Sequence, residues 1–360
     1  MIPLAPGSHS CIKYPRSGRL FLYTHHQSAM NLKHSIFAFV VLLLIASTAQ
    51  SQTDEVKLDT PVDKITIVSA MRARGAPRID AAEIARLKLG TVVNATAHST
   101  TQDTIGGKTE FWYSVTLPNG QTGWLFGGLL LDYAPREREP LLRQIIEARL
   151  KAENTEFADR EEIYNLAARA VQEAKDTGTR AEFELLQLLA LSHWAHSFPD
   201  NLRDKSPYRE WYRAHSAEVI QNEFGGGYNL RADLLWQLER KYQSLPIADR
   251  IAWEAAQMLP PSDCEGDEVC DFFLYEGEIK YLSLHPTGAH VSEALNHLTE
   301  ALSDEVINRA NAKGGDKYAL QERIDLRKTF ASLRAALAKT SAAEKVELLK
   351  KLDRVTGSTR

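Results

Sequence analysis

The sequence predicts a multidomain chain in which a small β domain over residues 62–133 precedes an all-α domain over residues 136–355. Up to residue 133, apolar residues occur in short runs rich in β-branched side chains, and turn residues separate these runs. This pattern is typical of strands. Past Pro135 the apolar residues recur with a period near 3.6, which is the period of amphipathic helices.

The composition is that of an ordinary globular protein, with 44% hydrophobic and 25% charged residues. This excludes a fully disordered chain, a collagen and a simple coiled coil. The first 51 residues contain four basic residues and no acidic one, which leaves 39 basic and 47 acidic residues in the rest of the chain, a net charge of −8. We expect no nucleic-acid partner, because attraction to phosphates requires clustered lysines and arginines.

Residues 30–51 have the pattern of a secretory signal peptide. A short basic segment begins at Met30, and the eleven residues Ile36–Ala46 form an unbroken apolar run. A helix needs about 20 apolar residues to span a bilayer, so the run predicts a cleaved signal rather than a membrane anchor. Cleavage after Ala49 and cleavage after Ser51 both fit the small residues there, and an uncleaved anchor is the alternative.

Residues 1–29 do not fit the pattern of a signal, because they are polar and contain histidine and proline. We interpret them as an upstream extension and Met30 as the true start. Cys11 is then absent from the mature protein, and Cys264 and Cys270 remain as a pair. The expected location is periplasmic or secreted, without a stable membrane span after cleavage.

The β domain follows a polar segment, residues 52–61, that we interpret as a linker. Its clearest predicted strands are Phe111–Leu117 and Thr122–Phe126. Asn119-Gly120 between them is a strong hairpin signal, since both residues tolerate positive φ. The polar segment His98–Thr109 is expected to be a long loop at the mouth of the barrel. Several short strands without helices indicate a small barrel or sandwich.

Three segments of this domain resemble the bacterial SH3 (SH3b) family. Met71–Pro77 (MRARGAP) is similar to the "LxVRxxP" opening of these domains, and Ile84–Gly90 (IARLKLG) is similar to the strand that follows it. The segments WYSV and LPNGQTGW, which end at Trp124, are similar to the family's "WykVrlpdGrtGWv". The segments have the family's order and spacing over about 70 of the 360 residues.

The resemblance implies a five-stranded SH3-like barrel that acts as a non-catalytic targeting module outside the cytoplasm. The ligands most often attributed to the family are peptidoglycan and its peptides. Within the motifs we expect Trp124 to be part of the core. The motif residues expected to have structural roles are Pro77, Gly90, Gly120, Gly123 and Trp124.

Four residues are candidates for ligand binding. Period-two alternation along Phe111–Leu117 places Trp112 and Ser114 on the more polar face, where an exposed indole would offer a stacking surface. Arg72 and Arg74 have the chemistry to bind a carboxylate. The alternative is structural: Trp112 would only cover the end of the barrel, and the two arginines would lie in a solvated loop.

The helical region contains three apolar stripes at helical spacing, Tyr208–Val219, Leu230–Tyr242 and Leu326–Leu337. Phe183–Ala195 is apolar on nearly all sides and predicts a central helix. The segment Tyr281–Gly288 loosely resembles the helix–turn–helix junctions of tetratricopeptide-like proteins, although no fixed period of about 34 residues is present. The resemblance implies a loose array of α-hairpins. Separately, we expect the helical domain to hold a protein partner.

Two groups of histidines have helical spacing. His290, Glu293 and His297 lie at i, i+3 and i+7, and His193 and His196 lie at i and i+3. A helix would bring the members of each group to one side, as a metal site requires. Neither group matches a known zinc spacing, so we expect no metal and no cofactor.

An enzymatic alternative comes from the segment around Cys264 and from His290. Both resemble motifs of NlpC/P60 cell-wall peptidases, which join SH3b domains to a papain-like domain and use a cysteine nucleophile with a histidine base. The 26-residue spacing between them is short for that fold, and no β-rich segment follows the cysteine. The leading hypothesis is a non-catalytic binding or scaffold protein, with peptidoglycan or a cell-envelope protein as partner.

Cys264 and Cys270 are predicted to form a disulfide. Gly266 lets the short intervening segment reverse, so that the two Cα atoms can approach within the ~4.4–6.8 Å that a bridge requires. Export would place both thiols in an oxidising compartment. A bridged Cys264 could not act as a nucleophile, so this prediction opposes the peptidase alternative.

Overall fold

The computed structural model describes residues 55–355 apart from a few short internal segments. The segments left out are residues 154, 223–225 and 259–263. The predicted extension, signal peptide and Cys11, all within residues 1–51, lie outside the described part of the chain. The predicted fold class is confirmed, since an antiparallel sheet precedes a helical region.

The described N-terminal part forms one antiparallel sheet of seven strands. In chain order the strands are β1 (Glu55–Thr66), β2 (Met71–Arg74), β3 (Glu83–Leu87), β4 (Val92–Ile105), β5 (Lys108–Thr116), β6 (Thr122–Phe126) and β7 (Leu130–Asp132). Their spatial order is β3-β2-β6-β5-β4-β1-β7. The five strands that the SH3 resemblance implies correspond to β2–β6, and β1 and β7 extend the sheet beyond β4.

The predicted linker is wrong from Glu55 onward. Residues Glu55–Lys57 pair with Ala97–Ser99 of β4, and the pairing resumes at Val62 after an irregularity. The residues between them include only one large apolar side chain, Leu58, and they end at Pro61, so apolar alternation did not reveal the strand. Pairing with β4 satisfies the backbone groups of Glu55–Lys57 whatever their side chains are.

The predicted loop His98–Thr109 is also wrong, because it forms the outer half of the β4–β5 hairpin. Gly106 and Gly107 close the hairpin with φ values of +58° and +77°. Two adjacent residues with positive φ make the tight turn that suits the twist of paired strands. The several threonines on either side favour strands as well.

The interior of the sheet is apolar and closely packed. Gly123 allows this packing, since a Cβ there would lie 3.0 Å from Leu117 Cδ1 and 3.1 Å from Ile84 Cδ1. The buried residues of this core are Met71, Ala73, Leu87, Val93, Ala95, Val115, Leu117, Leu125 and Leu130.

The helical region follows a short 3₁₀ turn at Pro135–Glu137. Its helices are α1 (Arg138–Leu150), α2 (Phe157–Glu173), α3 (Thr177–His196), α4 (Tyr208–His215), α5 (Ala232–Lys241), α6 (Ile247–Ala256), α7 (Glu268–Phe273), α8 (Glu276–Leu284), α9 (Val291–Ala301), α10 (Asp304–Asn311), α11 (Lys317–Leu337) and α12 (Lys345–Asp353). None of the helices described is both long and apolar enough to cross a membrane.

Two of the predicted helical stripes run beyond their helices. Val219 and Leu230 belong to a small antiparallel hairpin of β8 (Val219–Gln221) and β9 (Tyr228–Leu230) instead. The β-branched pair Val219-Ile220 favours the extended conformation. The hairpin still contributes to the helical core, because both side chains are buried in it.

The predicted central helix is confirmed as α3. Asp176 caps its N-terminus by accepting a hydrogen bond from the Thr179 amide at 2.9 Å. One set of its side chains, including Leu185 and Trp194, lies in the main helical core. Another set, including Phe183, lies in a second core that also contains residues of the sheet.

That second core joins the sheet to the helices. The turn after β3 places the Leu89 side chain, 1% exposed, among Ile145, Ile163 and Leu166. The Leu89 amide donates to Glu162 Oε2 at 2.7 Å, and its carbonyl accepts from Arg169 Nη2 at 3.3 Å. Both backbone polar groups of Leu89 are therefore satisfied by side chains of α2.

Gly90 completes the junction. Its φ is +74°, and a Cβ at this position would lie 2.5 Å from Leu166 Cδ1. Glu162, Leu166 and Arg169 are spaced i, i+4 and i+7 on α2, so a single helical face meets the turn. The glycine of the SH3 motif thus serves two needs at once: the left-handed conformation and the close approach of the helix.

We expect Gly90→Ala to destabilise the protein more than Gly107→Ala. Each substitution forces alanine into a left-handed conformation, at a cost of about 1–2 kcal/mol. Only Gly90 has a neighbour within reach of the new Cβ, since nothing lies within 4 Å of it at Gly107. Overpacking against Leu166 should add about 1–3 kcal/mol. Urea denaturation of both variants measures the difference, and equal costs would contradict the packing argument.

Candidate functional site

Trp112 does not project from the surface, contrary to the expectation for a stacking residue. It is 3% exposed and packs with Trp124 and Phe126 in a small aromatic cluster. Its indole Nε1 donates to Asp103 Oδ2 at 2.7 Å, and its amide donates to Ser99 Oγ at 3.0 Å. The expected burial of Trp124 is confirmed at 5% exposed.

The error about Trp112 has the same origin as the error about the loop. Alternation does place Trp112 on the face opposite Val115, as predicted. That face is not open, however, because the outer half of the β4–β5 hairpin contributes Asp103 and Ile105 to its cover. A register shift between His98 and Gln102 marks the irregularity in β4 that precedes this outer half.

Trp112→Ala should therefore act on stability. Loss of a large buried ring costs about 3–5 kcal/mol. Tyr318, which is 83% exposed, provides the matched control, and Tyr318→Ala should change the free energy of unfolding by no more than about 0.5 kcal/mol. Thermal or urea denaturation tests this, and a Trp112→Ala protein as stable as the wild type would refute the buried role.

Two further candidate residues are occupied by structural contacts. Ser114 is 4% exposed, so its hydroxyl is not accessible to a ligand. Arg74 donates from Nη1 to the Ala81 carbonyl at 2.9 Å and so closes the base of the segment between β2 and β3. Pro77 lies within that segment.

Arg72 is the candidate that remains exposed, and the structure places a second arginine beside it. Arg72 of β2 and Arg86 of β3 are directly opposed in the sheet register. Both reach Glu83, with Arg86 Nε 2.6 Å from Oε1 and Arg72 Nε 3.5 Å from Oε2. The hydrogen bond from Arg86 lowers the pKa of Glu83. Two guanidinium groups thus hold one carboxylate at the surface.

We call Arg72, Ile84 and Arg86 the arginine surface. The two arginine side chains are 58% exposed, and Ile84 beside them on β3 is 38% exposed. An apolar contact next to paired guanidinium groups suits a ligand that carries both a carboxylate and an aliphatic group. Sequence analysis missed Arg86. The available signal was that positions 84 and 86 lie on the same face of one strand. Only the β2–β3 register shows that Arg86 on this face lies beside Arg72.

The predicted disulfide between Cys264 and Cys270 is confirmed, with a Cα–Cα distance of 5.4 Å. Gly266, with φ of +82°, allows the reversal between the two cysteines. Asp267 caps α7 by accepting from the Val269 amide at 2.9 Å. In this state the Cys264 sulfur is bonded and cannot serve as the nucleophile of the peptidase alternative.

Two of the histidines considered for a metal site, His290 and His297, contact carboxylates. His290 precedes α9 as its cap residue and contacts Glu293, with Nδ1 and Oε2 2.9 Å apart. His297 contacts Glu278 of α8, also at 2.9 Å. Burial lowers the pKa of His193, and the positive charge of the nearby Arg160 lowers it further. The described residues contain no group of three or more side chains placed to hold a metal ion.

The rings of His290 and His297 both pack on Trp253. The His290 ring is parallel to the indole, with centroids 4.5 Å apart and an interplanar angle of 1°. The His297 ring is 6.4 Å away at 28°. Glu278, beside His297, is only 3% exposed. Its hydrogen bond raises the pKa of His297, and burial raises the pKa of Glu278 itself.

We expect His297 to titrate above the ordinary value of 6.5. Because its folded-state pKa is the higher one, the contact stabilises the fold fully below pH 6.5 and loses its contribution as pH rises through the folded pKa. Titration of the imidazole by NMR measures this directly. Glu278→Gln should return the pKa toward 6.5, whereas Glu254→Gln should leave it unchanged. A His297 pKa that does not respond to Glu278→Gln would contradict the assignment.

Residues 69–130 match the family model of the bacterial SH3 domain. The matched range contains β2–β6 and the whole arginine surface, so the resemblance found in the sequence motifs is confirmed. It ends before the helical region, where the tetratricopeptide-like resemblance stays a prediction. Comparisons of the chain with curated proteins and with solved structures find no match.

Proposed function

We propose that the protein is an exported, non-catalytic binding protein of the cell envelope. Its SH3 domain binds a carboxylate-bearing envelope ligand, the stem peptides of peptidoglycan, at the arginine surface. The helical region holds a protein partner and acts as a scaffold. Bacterial SH3 domains are typically binding modules outside the cytoplasm, which supports both the location and the absence of catalysis.

The observation that carries the proposal is that Arg72 and Arg86 both form ion pairs with the carboxylate of Glu83. An internal carboxylate occupies the two guanidinium groups at the surface, so the geometry for a carboxylate ligand is already present. A stem peptide offers carboxylates and short aliphatic side chains, which match the arginines and Ile84. A ligand carboxylate would compete with Glu83 for the same donors.

Export is supported by two independent features. The apolar run Ile36–Ala46 has the length of a signal peptide core. The Cys264–Cys270 bridge is of the kind that persists in oxidising compartments.

Binding to purified sacculi tests the arginine surface. The combined variant Arg72→Ala and Arg86→Ala should weaken binding of the exported protein about tenfold or more, because charge-assisted hydrogen bonds to the ligand are lost. Glu83→Gln should strengthen binding, since it frees the guanidinium groups from an internal competitor. Co-sedimentation with increasing amounts of sacculi gives the affinities.

Matched controls separate the site from overall charge. Arg136 is 85% exposed and pairs with Glu137 at 3.4 Å, outside the matched SH3 range. Arg136→Ala and Glu137→Gln change the net charge in the same directions and should leave binding unchanged. The proposed ligand is wrong if the control variants change the affinity for sacculi as much as the matching variants of the arginine surface do. It is also wrong if the wild type does not bind sacculi.

A further inference from the structure

A groove of about 590 Å³ lies between helices α8 and α11, outside the range matched by the SH3 family. The two helices run in the same direction. Thr329 Oγ1 donates to Glu276 Oε1 at 3.0 Å at the start of α8, and Lys339 Nζ, just past α11, donates to the Ser283 carbonyl at 3.0 Å near its end. Side chains of both helices line the groove. It is therefore an open slot with a helix along each side.

The exposed apolar residues of the helical region are concentrated on these two helices. Four of the six large apolar side chains that are exposed in the described part of residues 136–355 belong to them. They are Leu284 on α8 and Tyr318, Leu320 and Ile324 on α11. Leu284 also lines the groove, together with the buried Ile279. Single exposed apolar side chains are normal, but a group of them beside a groove marks an interaction surface.

Tyr318 extends one wall of the groove. Asp325, Thr329 and Ser332 of α11 line the groove, and Tyr318 precedes Asp325 by seven residues, or two helical turns. It therefore lies on the same side of α11 as they do. From Tyr318 to Ser332 the helix advances about 21 Å at about 1.5 Å per residue. A second helix of about 14 residues, or four turns, would lie along this wall.

The charged residues of the groove are available for a partner. Glu276 and Asp325 supply two carboxylates, and Lys280 and Lys328 supply two ammonium groups one turn further along each helix. These spacings permit ion pairs within a helix, yet in the part of the chain that the structure describes none of the four residues forms one. Lys280 Nζ instead lies over the ring of Trp236, 3.9 Å from its centroid. The groove thus presents two carboxylates followed by two ammonium groups.

The shape and the charges favour a helix as the occupant. A flat membrane would meet the rims of such a slot but not its floor, whereas a third helix packs into it at the usual spacing of about 8–10 Å. Helices that bind in grooves use apolar anchors at i, i+3, i+4 and i+7 on one face. An acidic and a basic side chain one turn apart, beside that face, would complement both pairs of charges in the groove.

We propose that this groove binds one amphipathic helix of a partner protein. The aliphatic side chains of that helix lie against Leu284 and Ile279 and along α11 toward Tyr318. An acidic side chain meets the two lysines, and a basic side chain one turn away meets the two carboxylates. The proposal rests on the scaffold role proposed above for the helical region and does not depend on the ligand of the arginine surface.

Fluorescence anisotropy of a labelled synthetic peptide, titrated with the purified exported protein, tests the proposal. The peptide has about 18 residues, leucines at helical spacing on one face, and a glutamate four residues before a lysine beside that face. It should bind, and a peptide of the same composition without the apolar face should not. Binding should weaken as salt is added, because the charges of the groove are exposed.

Reversal of the two lysines tests the charge pattern. Lys280→Glu combined with Lys328→Glu should weaken peptide binding about tenfold, because the glutamate of the peptide then meets like charges. The matched control is Lys175→Glu combined with Lys205→Glu. It reverses two exposed lysines that do not line the groove, and it should leave the affinity unchanged.

Leu284→Ser tests the apolar contact. It should also weaken binding about tenfold, since an apolar anchor of the groove is lost. Val346 is exposed to a similar degree on α12 and does not line the groove, so Val346→Ser should bind the peptide like the wild type.

Equal affinity of the wild type and the groove variants would overturn the proposal, as would no binding of the peptide through the millimolar range. If vesicles of phosphatidylglycerol bind through the two lysines and the peptide does not, a membrane is the occupant instead. If the protein forms a dimer that Leu284→Ser abolishes and does not bind the peptide, the occupant is a second copy. All groove variants should bind sacculi like the wild type, so a failure to bind sacculi bears on the arginine surface alone.

Discussion

The contact between the Leu89-Gly90 turn and helix α2 is the constraint on which the rest of the structure depends. Glu162 and Arg169 satisfy the amide and the carbonyl of Leu89, and Leu166 fills the space that a glycine leaves. Polar pairing to a charged side chain and burial of a large apolar side chain reinforce each other there. The sheet and the helices consequently share a hydrophobic core, so the SH3 domain is not merely tethered to its neighbour.

This junction also sets the position of the arginine surface. Strand β3 carries Arg86 and leads directly into the turn that α2 holds. Arg72 is aligned with Arg86 by the β2–β3 pairing. A ligand at the arginine surface would therefore meet side chains fixed to the helical region through a short, hydrogen-bonded stretch of backbone. The proposed scaffold role would benefit from such rigidity.

The two charged sites differ in their physical character. The arginine surface is solvated, so its ion pairs contribute little to stability and are available for exchange with a ligand. Glu278 of α8, beside His297 of α9, is almost completely buried, and desolvation there opposes its charged form. Gln257 and His297, which contact its Oε1, offset part of that cost.

The sequence by itself determined the division into a sheet followed by helices, the SH3 motifs, the central helix and the disulfide. Each of these depends on local signals: period, turn residues, and two cysteines separated by a short segment. Tertiary structure decided that the polar segment His98–Thr109 is a hairpin, that Trp112 is buried beneath it, and that Arg86 stands beside Arg72. It also decided that Glu278 is buried beside His297. These features arise from pairing register and from packing between elements distant in sequence, and alternation within one strand or helix carries no information about what covers its outer face.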